Sequence, residues 1–201
     1  MQLIALTGGI GAGKSTIATR LRELGAFIVD ADVVARKAVE PGTPALALIK
    51  KQFGNEVIDG SGALDRPALG AIVFSDSSAR RKLEEIVHPA VQELTHAEFA
   101  RLGAEHPDAV IIYDVPLLAE TSNTYSFSRI VVAQAPAELR IERLTSIRGL
   151  TIEEAQSRVR SQADDATRLA LATDVIDTSG TLEHTIEQVD ALWASLIQTQ
   201  P

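Results

Sequence analysis

The chain has 201 residues, 45% of them apolar and 23% charged, with a net charge of −8; this describes one globular domain with a sizeable core and excludes fibrous or disordered chains. It holds no cysteine, which rules out disulfides, thiol catalysis and cysteine-based zinc sites, and its acidic balance argues against nucleic acid as a partner. No apolar run approaches the roughly 18–20 residues that span a bilayer, and Met1-Gln2-Leu3-Ile4 lacks a basic leader stretch, so a cytoplasmic protein with no membrane partner is expected.

Aromatic residues make up only 4%, so Leu, Ile, Val and Ala must build the core. Short apolar runs recur at Leu3-Ile4-Ala5-Leu6, Phe27-Ile28-Val29, Val110-Ile111-Ile112-Tyr113, Ile130-Val131-Val132-Ala133 and Val175-Ile176. Runs without polar alternation suit strands buried on both faces. Helical patterns lie between them. Ile17, Leu21 and Leu24 line one face of a first helix that stops near Gly25. Thr43-Pro44 and Asp65-Arg66-Pro67 predict helix starts, each a cap followed by a proline in the first turn. Leu83, Ile86, Val87, Ala90, Val91 and Leu94 predict a helix kinked or broken at Pro89. Thr151-Ile152-Glu153-Glu154 spells a capping box. Leu182, Ile186, Val189, Trp193 and Leu196 give a final amphipathic helix, with Trp193 a core residue.

The alternation of strand and helix predicts an α/β fold, a five-stranded parallel sheet with helices on both faces. Core segments are expected at about 1–35, 109–139 and 169–201, with a helical insertion at about 36–108 and a shorter one at about 140–168.

Gly8-Gly9-Ile10-Gly11-Ala12-Gly13-Lys14-Ser15 matches G-x-x-x-x-G-K-[ST] between a strand and a helix. Glycines let the backbone curl until Gly9, Ile10, Gly11, Ala12 and Gly13 turn their N–H groups onto phosphate oxygens, and the start of the helix at Lys14, Ser15 and Thr16 adds positive potential. Lys14 is placed to reach the β- and γ-phosphates of ATP, and the Ser15 hydroxyl to hold Mg²⁺. The expected fold is therefore that of the phosphate-loop (P-loop) NTPases.

Asp30-Ala31-Asp32 ends the second strand, the sheet edge where such folds bind ligands. In extended chain the two carboxylates point the same way, so one can orient metal-bound water while the other takes a proton from an attacking hydroxyl; the competing role is a helix cap. Asp114 ends the third strand and competes with Asp30 for the metal. The residues leave both open. Six arginines and no lysine fall between 140 and 168: Arg140, Arg143, Arg148, Arg158, Arg160 and Arg168. Arg140 and Arg143 share a helix face and are read as phosphoryl and nucleotide ligands; most of the others are read as a solvated face paired with Glu142, Glu153, Glu154, Asp164 and Asp165.

Taken together, these segments resemble the dephospho-coenzyme A kinases. The likeness runs from residues 6–15 through Asp30-Ala31-Asp32, Ala35-Arg36 and Val39-Glu40-Pro41-Gly42. It continues at His88-Pro89, Pro116-Leu117-Leu118-Ala119-Glu120, Arg158, Gln162 and Asp174-Val175-Ile176-Asp177. The resemblance implies a phosphate-loop kinase core, a helical insertion that receives the acceptor, and an arginine-bearing lid at about 140–168. It implies ATP and Mg²⁺ as cofactors and dephospho-coenzyme A as the substrate phosphorylated on its ribose 3′-hydroxyl. Asp32 becomes the catalytic base, Lys14 the phosphate ligand, Ser15 the metal ligand and Arg140 the lid arginine. His88, Leu117 and Glu120 flank the acceptor. The chain departs from the family pattern at Thr178, where asparagine is usual. Another small-molecule or nucleoside-monophosphate kinase is the alternative within the fold. A GTP-dependent switch has only Asp177-Thr178-Ser179-Gly180 in its favour, too late in the chain and without an N-K-x-D motif.

Overall fold

The computed structural model describes residues 1–120 and 125–198. Residues 121–124 and 199–201, which fall in segments expected to belong to the core, lie outside them. The described chain divides into two compact units, residues 1–30 with 102–198 and residues 31–101.

The first unit is built on β1 (Gln2–Gly8), β2 (Phe27–Asp30), β3 (Val110–Asp114), β4 (Arg129–Gln134) and β5 (Asp174–Asp177). Among the described residues they form one sheet in the order β2-β3-β1-β4-β5, every pairing parallel. The five apolar runs are the five strands. Helix α1 (Lys14–Glu23) follows β1 directly. Its apolar stripe, Ile17, Ala18 and Leu21, meets Val189, Leu192 and Leu196 of α9 (Leu182–Gln198) over Ile4, Leu6, Val110, Ile112, Val131 and Ala133 of the sheet. Each Leu or Ile sealed in this layer contributes about 1.5–3 kcal/mol of burial. Trp193 packs against the same cluster. The alternate strand residues Ala5, Ile111, Tyr113 and Val132 are also buried, which is why the runs show no polar alternation. Tyr113 stands edge-on to Tyr125, ring centres 5.4 Å apart. Helices α6 (Ala137–Ser146), α7 (Ile152–Arg160) and α8 (Asp165–Ala170) lie between β4 and β5. α7 starts with the expected reciprocal capping box of Thr151 and Glu154.

The second unit holds α2 (Ala31–Lys37), α3 (Pro44–Phe53), α4 (Arg66–Ser75) and most of α5 (Ser77–Glu105), with Val39, Ala45, Ile49, Val57 and Leu69 as its core. Thr43 and Asp65 cap α3 and α4 through the amides of Leu46 and Ala68, and a proline occupies the first turn of each.

Two expectations change. Of the kink or break expected at Pro89, the break does not occur, since α5 continues through that residue. Proline at this position removes the bond to the carbonyl of Glu85, but Glu85 and Pro89 are both exposed, so water can serve that carbonyl. The second concerns Asp30-Ala31-Asp32, which is not extended: β2 ends at Asp30 and α2 begins at Ala31.

Candidate functional site: a phosphate cradle with buried cations

The loop after β1 turns tightly, Ala12 N–H donating to Gly9 O at 2.9 Å and Thr16 N–H to Gly13 O at 3.0 Å. Gly11 and Gly13 sit at φ 78° and 80°, a left-handed region that a side chain disfavours. Gly13 therefore caps α1 without a side chain and leaves the first amides of the helix, at Lys14 and Ser15, for an anion. Ser15 is exposed there. Ile10 N–H donates to Oε1 of Gln162 at 2.7 Å. Lys14 Nζ donates to Asp114 Oδ1. Asp30 and Asp114 are register partners on adjacent strands, so the two candidate metal carboxylates stand side by side with one of them engaged by the lysine. Among the described residues no group of three or more His, Asp or Glu side chains forms a metal cluster. A site made of one hydroxyl beside phosphate oxygens fits Mg²⁺, which keeps several waters and binds through substrate phosphates.

Two arginines press on the start of this loop. Arg140 of α6 is 3% exposed and Arg168 of α8 is 2% exposed, although arginine is rarely sealed unless paired. Both reach one carboxylate: Arg140 Nη2 donates to Asp165 Oδ1 at 2.9 Å, and Arg168 Nη2 donates to the same oxygen. Arg168 Nη1 also donates to Ala163 O. Burial lowers the pKa of Arg140; Asp165 opposes this and the Arg168 charge adds to it. Burial works to raise the pKa of Asp165, but the Arg168 hydrogen bond and the Arg140 charge outweigh it and hold the carboxyl below its usual value. Arg140 Nε, Arg140 Nη1 and Arg168 Nε are buried with no hydrogen-bond partner. An unmet buried donor costs about 1–3 kcal/mol, more when charged. A Cβ placed on Gly9 would collide with Arg140 Nη1 and lie 3.3 Å from Arg168 Nη2. Reading Arg168 and Asp165 as part of a solvated face is therefore corrected, whereas Arg148, Arg158 and Arg160 are exposed.

A cleft of about 300 Å³ opens on the other side of the loop, lined by Ser15, Thr16, Arg143, Ile147, Thr178 and Leu182 among others. Arg143 Nη2 donates to Thr178 O at 2.5 Å and Nη1 to Gly11 O at 3.3 Å. The Thr178 hydroxyl bridges Ala12 O at 2.8 Å and Gln134 O at 3.1 Å. Thr178 thus ties the phosphate loop to β4 rather than offering its hydroxyl to the cleft. Sequence reasoning saw Thr178 only as a departure from a pattern. Its place just after β5, one strand from β4, was the signal that it could reach the loop.

The remaining candidates are placed as follows. Leu117 is 43% exposed in the segment after β3. In the same segment, Glu120 Oε1 accepts Ala163 N–H at 2.8 Å. Asp32 and His88 belong to the second unit, Asp32 exposed in the first turn of α2 and His88 exposed on α5.

Loop amides at one end and sealed guanidiniums at the other suit a triphosphate whose terminal group is to be moved, and they make the chain a phosphate-loop kinase. The sequence model of the family described as dephospho-CoA kinase matches residues 2–184, and the chain belongs to that family. A dephospho-CoA kinase of Leifsonia xyli is 57% identical over 196 residues, covering 98% of this chain and 99% of the relative. A crystal structure of a Thermus thermophilus protein superposes with a TM-score of 0.83 at 35% identity, covering 100% and 98% of the two chains. A dephospho-CoA kinase from Campylobacter jejuni shares the fold, with a TM-score of 0.77 at 24% identity over 98% of each chain.

Proposed function

We propose that the chain transfers the γ-phosphoryl group of ATP to the ribose 3′-hydroxyl of dephospho-coenzyme A, giving coenzyme A and ADP. The observation that carries this is the family match across residues 2–184, which includes the cradle and both flanking arginines. In this reading the amides of residues 9–16 hold the phosphates, and Lys14 exchanges Asp114 for the β- and γ-phosphate oxygens. Ser15, with Asp30 or Asp114, would hold Mg²⁺, which would neutralise charge on the phosphates. Asp32 takes the proton of the 3′-hydroxyl as its oxygen bonds to phosphorus and the bond to the leaving ADP oxygen breaks. Arg140 stabilises charge on the transferred group, and Arg143 closes the nucleoside cleft. His88, Leu117 and Glu120 flank the acceptor. Among the described residues no helix is long and apolar enough to cross a membrane, and we place the activity in the cytoplasm, where ATP is held.

The test is incubation of purified protein with ATP, Mg²⁺ and dephospho-coenzyme A, with products identified by mass. The expected product is coenzyme A, one phosphoryl group heavier than the acceptor. Equal turnover of a nucleoside monophosphate would favour the alternative acceptor.

A further inference from the structure

We propose that Arg168 is a second phosphoryl-contacting guanidinium, which with Arg140 forms a two-arginine seat, braced by Asp165, for the oxygens of the γ-phosphoryl group. The inference rests on the kinase reading above and adds to it a residue which that reading leaves without a role.

Asp165 and Arg168 are three apart on α8, so their side chains meet. The cluster contains two sealed guanidiniums and one half-buried carboxylate, a surplus of one positive charge. The acidic neighbours do not cancel it: Asp164 is spent capping α8 through Thr167 N–H at 2.7 Å, and Glu138 is exposed. Both arginines use an Nη2 on the same Asp165 oxygen, which holds the two guanidiniums close together. What remains is a set of donors without acceptors: Nε and Nη1 of Arg140 and Nε of Arg168. Native structures rarely tolerate such groups unless a ligand or ordered water completes them. The missing component is anionic, rich in acceptor oxygens, and seated against Gly9, the residue that both guanidiniums crowd. A phosphoryl group has that chemistry, and guanidinium forks match it bidentately.

The segment between α7 and α8 fits the same purpose. Gln162 meets Ile10 N–H, Ala163 O receives Arg168 and Ala163 N–H is anchored on Glu120. Two consecutive residues, Gln162 and Ala163, are thus anchored, and the second of them holds Arg168 from its own side of the site, independently of α6. Arg168 therefore acts directly on substrate oxygens, with Asp165 as the positioning residue for both cations.

The test uses titration calorimetry without acceptor, comparing ADP with the β,γ-imido analogue of ATP for the wild type, Arg168→Lys and Arg168→Gln. Thermal melting is recorded for each. The expected result is that ADP affinity stays within about twofold while the preference for the triphosphate analogue falls about tenfold, as expected for one charge-assisted hydrogen-bond pair. An unchanged analogue-to-ADP ratio, or an equal loss for both ligands, overturns the proposal. Should neither variant fold, wild-type protein carries the question: the Arg168 Nε–H resonance is expected to move downfield with the analogue and to stay put with ADP. A resonance that ignores both, or answers both alike, refutes it. Failure of the wild type to phosphorylate dephospho-coenzyme A would strike the functional reading alone, because these affinities need no acceptor.

Discussion

Replacing Gly9 by alanine separates the catalytic requirement at the loop from the structural one. Gly9 does not sit at positive φ, so alanine carries no backbone strain there, and the effect is confined to what the new methyl meets. It meets Arg140 first, with Nη1 in collision and Cζ at 3.0 Å, and then Arg168 Nη2 at 3.3 Å. Arg140 has no solvent to swing into, so its guanidinium must shift within the packed interior. An off-rotamer or overpacked side chain of this kind costs about 1–3 kcal/mol, and a cost near the lower end lowers Tm by about 2–4 °C in a domain of this size. The same shift, about 1 Å at a phosphoryl contact, is expected to lower kcat about 100-fold. Steady-state kinetics with ATP and dephospho-coenzyme A, together with a melting curve and an ADP titration, read all three quantities. A kcat within about threefold of wild type would show that the guanidinium at Gly9 does not touch the transferred group. A collapse of Tm matching the loss of rate would make Gly9 a packing residue only.

Three other outcomes are expected. Asp32→Asn loses about 100- to 10,000-fold in kcat while ATP affinity, measured by titration, holds; unchanged kcat removes Asp32 from the role of base. Thr178→Val keeps the side-chain shape but leaves the Ala12 carbonyl without the hydroxyl donor, while Gln134 O keeps the backbone N–H of residue 178; the loss costs about 1–3 kcal/mol and raises KM for ATP, whereas Thr178→Ser retains the hydroxyl. A Val variant with wild-type Tm would make the bridge dispensable. For acid stability, the folded pKa of Asp165 lies below its unfolded value. Its contribution is therefore fully present above the ordinary carboxylate range near about 3.9 and is lost as pH falls through the folded pKa. Asp165→Asn is expected to lower Tm at pH 7 and to flatten the decline below about pH 4; a decline as steep as wild type would place the acid-sensitive group elsewhere.

The central strands β1, β3 and β4 were legible because both of their faces are covered, leaving continuous apolar runs with no competing pattern, whereas the edge strand β5 buries only Ile176 and leaves Val175 exposed. The helix starts were legible because Thr43, Asp65 and Thr151 each cap in the ordinary way. That the helix around Pro89 runs on rather than breaking was not legible, since whether water reaches one freed carbonyl depends on exposure rather than on local sequence. Asp30-Ala31-Asp32 failed for a related reason: strand and helix abut there with no residue between. At the site, the phosphate loop announces itself through the dihedral demands of its glycines. Arg168 and Asp165 did not, because a stretch alternating arginine with aspartate and glutamate has the composition of a solvated helix. Only the approach of α8 to Gly9 turns the pair inward. Once the structure shows Gly9 without a positive φ, its lack of a side chain is explained by the guanidiniums close by, which the sequence alone could not show.

The bond from Ile10 to Gln162 and the ion pair of Lys14 with Asp114 bear on how nucleotide is chosen. Two of the cradle's best donors already have acceptors supplied by the protein, so an arriving phosphate must displace a glutamine amide and a carboxylate rather than simply add itself. Only a ligand long enough to reach both places at once recovers what it breaks. In the proposed reading, inorganic anions, which reach one, would gain little, and the loop would favour triphosphates over smaller competitors.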